Sequence, residues 1–180
     1  MYLEDENIER GVLRQGDIIS QTCLLGVLNP QGFSEVVKNG KPTSWVIPIK
    51  EEAIGDAIIL SHSCEIESVN TIKVTSIILA PVRDINTATE IDKIEEVKSS
   101  NILKIGQPFS YLKYFYLEPN DKLKYPNGAY CDFSKCFSLR KNYYQQLLDK
   151  KVLQLKQCVA DAMALKLAVY FYREKLAPPT

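Results

Sequence analysis

The sequence predicts an α+β fold in a single domain over 1–180: a mostly β region at 14–137 carrying a helix at 87–104, then a C-terminal helical segment at 139–176. Three observations predict it. Runs of β-branched, aromatic and apolar residues of strand length alternate with Gly, Pro and Asn turn signals through the first region. The apolar period switches to that of a helix once in the middle and again near the end. Two strongly apolar runs, Ala57-Ile58-Ile59-Leu60 and Ile77-Ile78-Leu79-Ala80, flank a polar pentapeptide, Ser61-His62-Ser63-Cys64-Glu65, which marks where a buried strand reaches the surface.

Taken in order, residues 1–13 read as a charged lead-in with some helix, broken at Gly11. Gln15-Gly16-Asp17 is a turn, and 18–28 is a β-rich run ending at Asn29-Pro30-Gln31-Gly32. The polar stretch 29–43 reads as a mobile loop. Ser44 to Ile49 suggests a strand, which Pro48 confines to an edge. The paired strands around the pentapeptide follow, with Pro81 closing the second. Thr87-Ala88-Thr89-Glu90 has capping-box spacing, and Ile91, Ile94 and Val97 share one helical face. Gly106 and Pro108 end that helix. Tyr111–Leu117 and Ala129–Phe133 read as strands between turn signals, and Ser138 reads as the cap of a helix at 139–148. From about Lys150 to Leu176, Val152, Leu155, Val159, Met163 and Val169 form a stripe interrupted by Lys166, on a helix roughly 40 Å long.

Composition narrows the function classes. With 46% hydrophobic and 24% charged residues the chain is an ordinary globular one. Lys+Arg and Asp+Glu are equal at 22 each, so no global field draws it to nucleic acid, and such binding needs a local basic patch. The acidic N-terminus lacks a signal-peptide core, and no apolar run approaches the ~20 residues of a membrane span. No membrane partner and a cytoplasmic location are therefore expected, with the five cysteines reduced.

The pentapeptide holds the only histidine. If 61–65 continues the strand, His62 and Cys64 share a face, because strand side chains alternate. One reading is a metal site, His62 and Cys64 joined by Cys131 and Cys136 as four N/S ligands suited to zinc; apart from zinc no cofactor is expected. A second is a Cys64 thiol nucleophile served by His62 and oriented by Glu65 or Asp132. A third joins Asp17, Arg83 or Asp132 to the site. The bland reading makes Cys64 a small buried hydrophobe and His62 a surface residue. Separately, Lys113, Lys122, Lys124, Arg140, Lys141, Lys150 and Lys151 interleave with Tyr111, Tyr114, Tyr116, Tyr125, Tyr143 and Tyr144. Such a set either stacks bases and contacts phosphates or is a solvated face with half-buried tyrosines.

Gly16-Asp17-Ile18-Ile19 opening the first strand, Ile58-Ile59-Leu60-Ser61, Ile78-Leu79-Ala80-Pro81-Val82, and Tyr130-Cys131-Asp132-Phe133-Ser134 before Ser138-Leu139-Arg140 resemble, in order, the signals of the MazF/PemK toxin family. The resemblance spans most of 14–170. It implies a small SH3-like antiparallel β-barrel with helices and an activity on RNA. The family's ribonucleases carry Arg-Pro before the apolar strand, where this chain has Gly55-Asp56; Arg83-Asp84 follows Pro81-Val82. Cleavage by a neighbouring 2′-hydroxyl needs a base, an acid and cations, and His62, Glu65, Arg83 and Asp84 are of those types, though not at the family's positions; His62, Cys64, Glu65 and Arg83 are the catalytic candidates. Lys122, Lys124, Arg140 and Lys141 are the candidate nucleic-acid contacts. The expected function is RNA binding or cleavage by a MazF/PemK-like, toxin-type relative. The alternative is a non-enzymatic protein-interaction module that assembles through the C-terminal helix, with a homodimer as the expected oligomer.

Overall fold

The structure is a computed structural model that describes residues 1–24, 34–38, 41–46, 53–67, 76–87, 94–99, 101–103 and 109–176. Helix and antiparallel strand are mixed, as α+β requires. Two compact units divide the chain: Met1–Thr22 with Gly55–Thr180, and Cys23–Ile54.

The smaller unit contains a hairpin, strands β2 (Ser34–Lys38) and β3 (Lys41–Val46). Its register runs Ser34↔Val46 to Lys38↔Lys41, with an irregularity between Val36 and Val37. Part of the expected loop at 29–43 is thus paired strand. Asn39 and Gly40 lie outside the described residues. Pro48 and residues 25–33 lie outside the described residues.

In the larger unit β5 (Ser76–Asp84) is central. The sheet order is β6-β7-β5-β4-β1-β9, with β8 also on β5. Here β1 is Asp17–Leu24, β4 Ala53–Ile59, β6 Tyr114–Leu117, β7 Ala129–Asp132, β8 Phe137–Arg140 and β9 Lys151–Gln154. One edge of β5 is occupied by β4, from Ile59↔Leu79 to Asp56↔Val82. The other edge is shared: β8 takes its first half, Ser76↔Arg140 to Leu79↔Phe137, and β7 its last, Val82↔Cys131 to Asp84↔Ala129.

Strand alternation gives the sheet two apolar faces. Ile58, Ala80, Val82, Phe115, Leu117, Ala129 and Cys131 form one core with Ala160, Met163 and Tyr170 of α5 (Gln157–Leu176). Tyr114 and Tyr130, ring centroids 5.4 Å apart and edge-on, form a second core with Ile85 and with Val97 of α2 (Ile94–Ser99). The exposed edge of β6 is blunted by Asn101. Its Nδ2 donates to the Tyr116 carbonyl at 2.7 Å and its Oδ1 accepts from the Tyr116 N–H at 2.8 Å, which stands in for a missing strand. Gly128 turns into β7 at φ +92°, where a Cβ would come within 2.6 Å of the Tyr116 hydroxyl.

Several elements differ from expectation. Pro81 lies inside β5, paired with Ala57, because its missing N–H is tolerated there and the strand runs on to Asp84. Residues 61–65 do not continue β4; the chain turns after Leu60 into a short helix, α1 (Ser63–Glu67). Residues 85–87 are a 3-10 turn, and the central helix is described only over Ile94–Ser99. Glu90 and Ile91 lie outside the described residues. Tyr111 belongs to α3 (Phe109–Leu112) rather than to a strand. Ser138 caps no helix but sits in β8; the helix follows later, as α4 (Tyr144–Asp149). The long C-terminal helix begins at Gln157 and spans about 30 Å, because Lys151–Gln154 pairs with β1 instead. The lead-in is docked: Ile8 and Leu13 are buried and the Leu3 N–H donates to the Gln154 carbonyl at 2.9 Å.

Candidate functional site

The pentapeptide is pinned at its serines. Buried Ser61 accepts from the Ile78 N–H at 2.8 Å, fastening the end of β4 to β5. The Ser63 hydroxyl accepts from the Gln15 N–H at 3.1 Å, and Gln15 Nε2 donates to the Leu60 carbonyl at 2.7 Å. The His62 carbonyl accepts from the N–H groups of Glu65 and Ile66, and Ile66 is buried. With these anchors inward, His62, Cys64 and Glu65 are left exposed.

His62 Nδ1 lies 2.8 Å from Cys64 Sγ and accepts from the Cys64 N–H at 3.3 Å. The expected juxtaposition is present, but a helical turn produces it rather than strand alternation. Cys64 is exposed, so it is not a buried hydrophobe. With Nδ1 accepting from the Cys64 N–H, the neutral ring is assigned its proton on Nε2, and Nδ1 is then the acceptor in the contact with the Cys64 thiol.

Arg83 does not join them. It stands opposite Tyr130, and its cross-strand neighbours lie toward the far end of β5 from Ile78, about 17 Å away at 3.3 Å per residue. Burial raises the Tyr130 hydroxyl above its ordinary range, and Arg83 partly opposes that. Asp132 is committed locally: its Oδ1 accepts from Ser134 N–H at 2.9 Å and Oγ–H at 2.6 Å.

The four basic candidates divide into two pairs. Lys122 is ion-paired with Asp5. Lys124, in the left-handed region at φ 53°, lines a cleft of about 410 Å³ with Pro119, Asn120, Asp121, Tyr125 and Pro126. Both precede β7 and lie toward the Asp84 end of β5. Arg140 is exposed opposite Ser76, and half-buried Lys141 follows it. Ser76 and Asp84 are about 26 Å apart along an extended strand, so the four make no single patch.

Register brings Arg140 toward the pentapeptide instead. The Leu60 N–H donates to the Ile78 carbonyl, and Ile78 pairs with Ser138 on its other edge. Leu60 and Ser138 are therefore two strand spacings apart, about 10 Å, and both chains run onward toward the Ser76 end. His62, Cys64, Glu65, Arg140 and Lys141 share that end, with Tyr143 exposed just beyond. Sequence reasoning misses this grouping because it expects a helix over 139–148. The signal is present in Phe137-Ser138-Leu139-Arg140, whose alternation is that of a half-buried strand.

The other tyrosines and lysines of the interleaved set serve the fold. Tyr125 donates to the Val82 carbonyl at 3.4 Å, with its hydroxyl pushed up to about 12 by burial and by nearby Asp56. Tyr144 accepts from the Leu13 N–H at 3.1 Å, and Lys150 donates to the Gln21 carbonyl at 2.8 Å.

Of the candidate zinc ligands, Cys131 is buried in the main core and its thiol is pushed up to about 12 by burial, which opposes the thiolate that zinc binds. Cys136 is exposed before β8. Among the described residues no three His, Cys, Asp or Glu side chains gather as metal ligands would. No helix among the described residues is long and apolar enough to cross a membrane. No known protein-family model and no curated protein sequence matches the chain.

Proposed function

We propose that the protein binds single-stranded RNA at the Ser76 end of its sheet, as an SH3-like barrel relative of the MazF/PemK toxins. The observation that supports this reading is the register of β4 and β8 on the two edges of β5, which brings the end of β4, just before His62, and Arg140 toward the same end of that strand. The only imidazole of the chain, two cations and, two residues after Lys141, an exposed tyrosine follow from strands that run toward that end. Arg140 and Lys141 supply charge for phosphate, Tyr143 a ring for a base to stack on, and the outward Nε2–H of His62 a donor to a phosphate oxygen. The chain is neutral overall, so binding rests on this local group.

The reading is binding rather than cleavage. Abstraction of a 2′-hydroxyl proton needs a ring nitrogen with a free lone pair, and Nδ1 of His62 is occupied by Cys64. Ultraviolet crosslinking of a labelled single-stranded RNA, followed by peptide mapping, tests the location. The adduct is expected in the peptide containing Ser138–Tyr144. An adduct confined to 119–126, or none at low salt, would remove the support.

A further inference from the structure

β5 buries Ile77 and everything from Leu79 to Val82, yet Ile78 between them is 43% exposed. A lone apolar side chain on a surface is ordinary. This one is set apart by its place, in the central strand where β4 and β8 hold the two edges. Its carbonyl accepts from the Leu60 N–H at 2.9 Å, and its N–H donates to Ser61 Oγ at 2.8 Å. Both backbone groups turn toward β4. Ile78 and Ser138 of β8 therefore face each other as a pair without mutual hydrogen bonds, the kind whose side chains stand closest. Alternation puts Ser76 on the same face as Ile78, and pairing adds Ser138 and Arg140. Ala80 and Val82 carry that face into the core shared with α5, and Ile78 is the first position beyond it. Exposed Ser138 and Arg140 thus border a fixed aliphatic floor.

We propose that Ile78 is the floor of a nucleobase subsite, on which one base of a bound RNA lies while the adjoining phosphate meets Arg140. This rests on the RNA reading above and adds to it a base contact that charge alone does not supply. Arg140 stands two residues beyond Ser138, about 7 Å along an extended strand, and exposed Tyr143 follows three residues later. The order is floor, cation, ring, which matches base, phosphate, base along a single strand. A base packs its flat face on apolar side chains as well as on aromatic ones, and the Ser138 hydroxyl can donate to or accept from its edge. Contact with the flat face holds any of the four bases. A second copy of the chain is a poor occupant: one isoleucine among two serines and a guanidinium falls far short of the roughly 800 Å² per partner of a stable protein interface.

Fluorescence anisotropy of the full chain with a single-stranded RNA of about eight nucleotides, and with the same sugar–phosphate chain lacking its bases, tests this. Wild type is expected to bind the RNA more tightly than the baseless chain. Ile78→Ser should weaken RNA binding about three- to tenfold, while binding of the baseless chain and the salt slope stay at their wild-type values. Ile78→Tyr, with a better stacking surface and comparable strand propensity, should bind RNA at least as tightly as wild type. Circular dichroism that matches wild type keeps the variants comparable. RNA binding indifferent to Ile78→Ser, or equal weakening toward both ligands, would overturn the subsite and leave RNA binding standing. A wild type that binds neither ligand would overturn both. A sedimentation coefficient changed by Ile78→Ser would assign the residue to contact between copies, which also overturns the subsite.

Discussion

Lys151 Nζ lies 2.7 Å from Asp17 Oδ2, with the two side chains 2% and 0% exposed. The ammonium also donates to the carbonyls of Glu9 at 2.8 Å and Val12 at 3.1 Å, and to Gln154 Oε1 at 3.2 Å. One buried charge therefore ties the N-terminal segment to β9 and β1. Removing it strands the carboxylate, whose Oδ1 already makes no hydrogen bond among the described residues. Lys151→Ala should cost about 3–5 kcal/mol, read as a lowered urea midpoint.

The same pair gives a pH dependence of definite sign. Burial pushes the Asp17 carboxyl up from 3.8 to about 6, despite Lys151 and the Arg14 N–H. The folded chain then binds more protons than the unfolded one between about pH 4 and 6. Stability from this group is full at the acid end of that window and falls as pH rises through 6, by up to about 3 kcal/mol for a shift of two units. The difference in unfolding free energy between wild type and Asp17→Asn should change with this slope across pH 4–7. A constant difference would contradict it.

Lys166 has the opposite sign. Burial lowers its amine from 10.5 to about 7, so the folded chain binds fewer protons than the unfolded one between those values. Stability should rise from pH 7 toward 10, and Lys166→Met should flatten the rise while stabilising the protein at pH 7 by about 1–3 kcal/mol. Thermal unfolding at pH 7 and pH 9 checks both.

Gly128 is the turn residue whose replacement is most plainly constrained. Its φ of +92° is strained for an L side chain, and a Cβ would strike Tyr116 and lie 2.9 Å from the Leu117 carbonyl. Gly128→Ala should destabilise by about 1–3 kcal/mol, and Gly11→Ala, with nothing within 4 Å, by far less. Denaturant unfolding of the two variants side by side makes the comparison.

What can be read from the sequence follows the range of the forces involved. The apolar runs of β4 and β5 announce themselves, because Ala57 to Leu60 and Leu79 to Val82 are buried without a break and so are continuous in composition. The helical period of α5 is equally plain. Its start is not: Val152, Leu153 and Leu155 satisfy a helical stripe, and only the pairing of Ile18 with Leu153 makes 151–154 a strand. β8 is hidden in the same way, by a serine with the look of a cap. Strand alternation would bring His62 and Cys64 together, and the start of α1 does so instead, where the His62 ring just ahead of the helix folds back to accept from the Cys64 N–H. The partition of Arg140 and Lys141 from Lys122 and Lys124 depends wholly on which strands share β5, and local composition carries no trace of it.

Equilibrium binding of a single-stranded RNA oligonucleotide over about 50–200 mM salt decides whether RNA is held at the Ser76 end of the sheet. Arg140→Gln with Lys141→Gln should abolish most of the binding. The slope of log K against log salt should fall in magnitude by about 1.4, because two phosphates are no longer neutralised. Lys122→Gln with Lys124→Gln should leave affinity and slope unchanged. No binding at the lowest salt, or equal weakening by the two pairs of substitutions, would contradict RNA binding at that end.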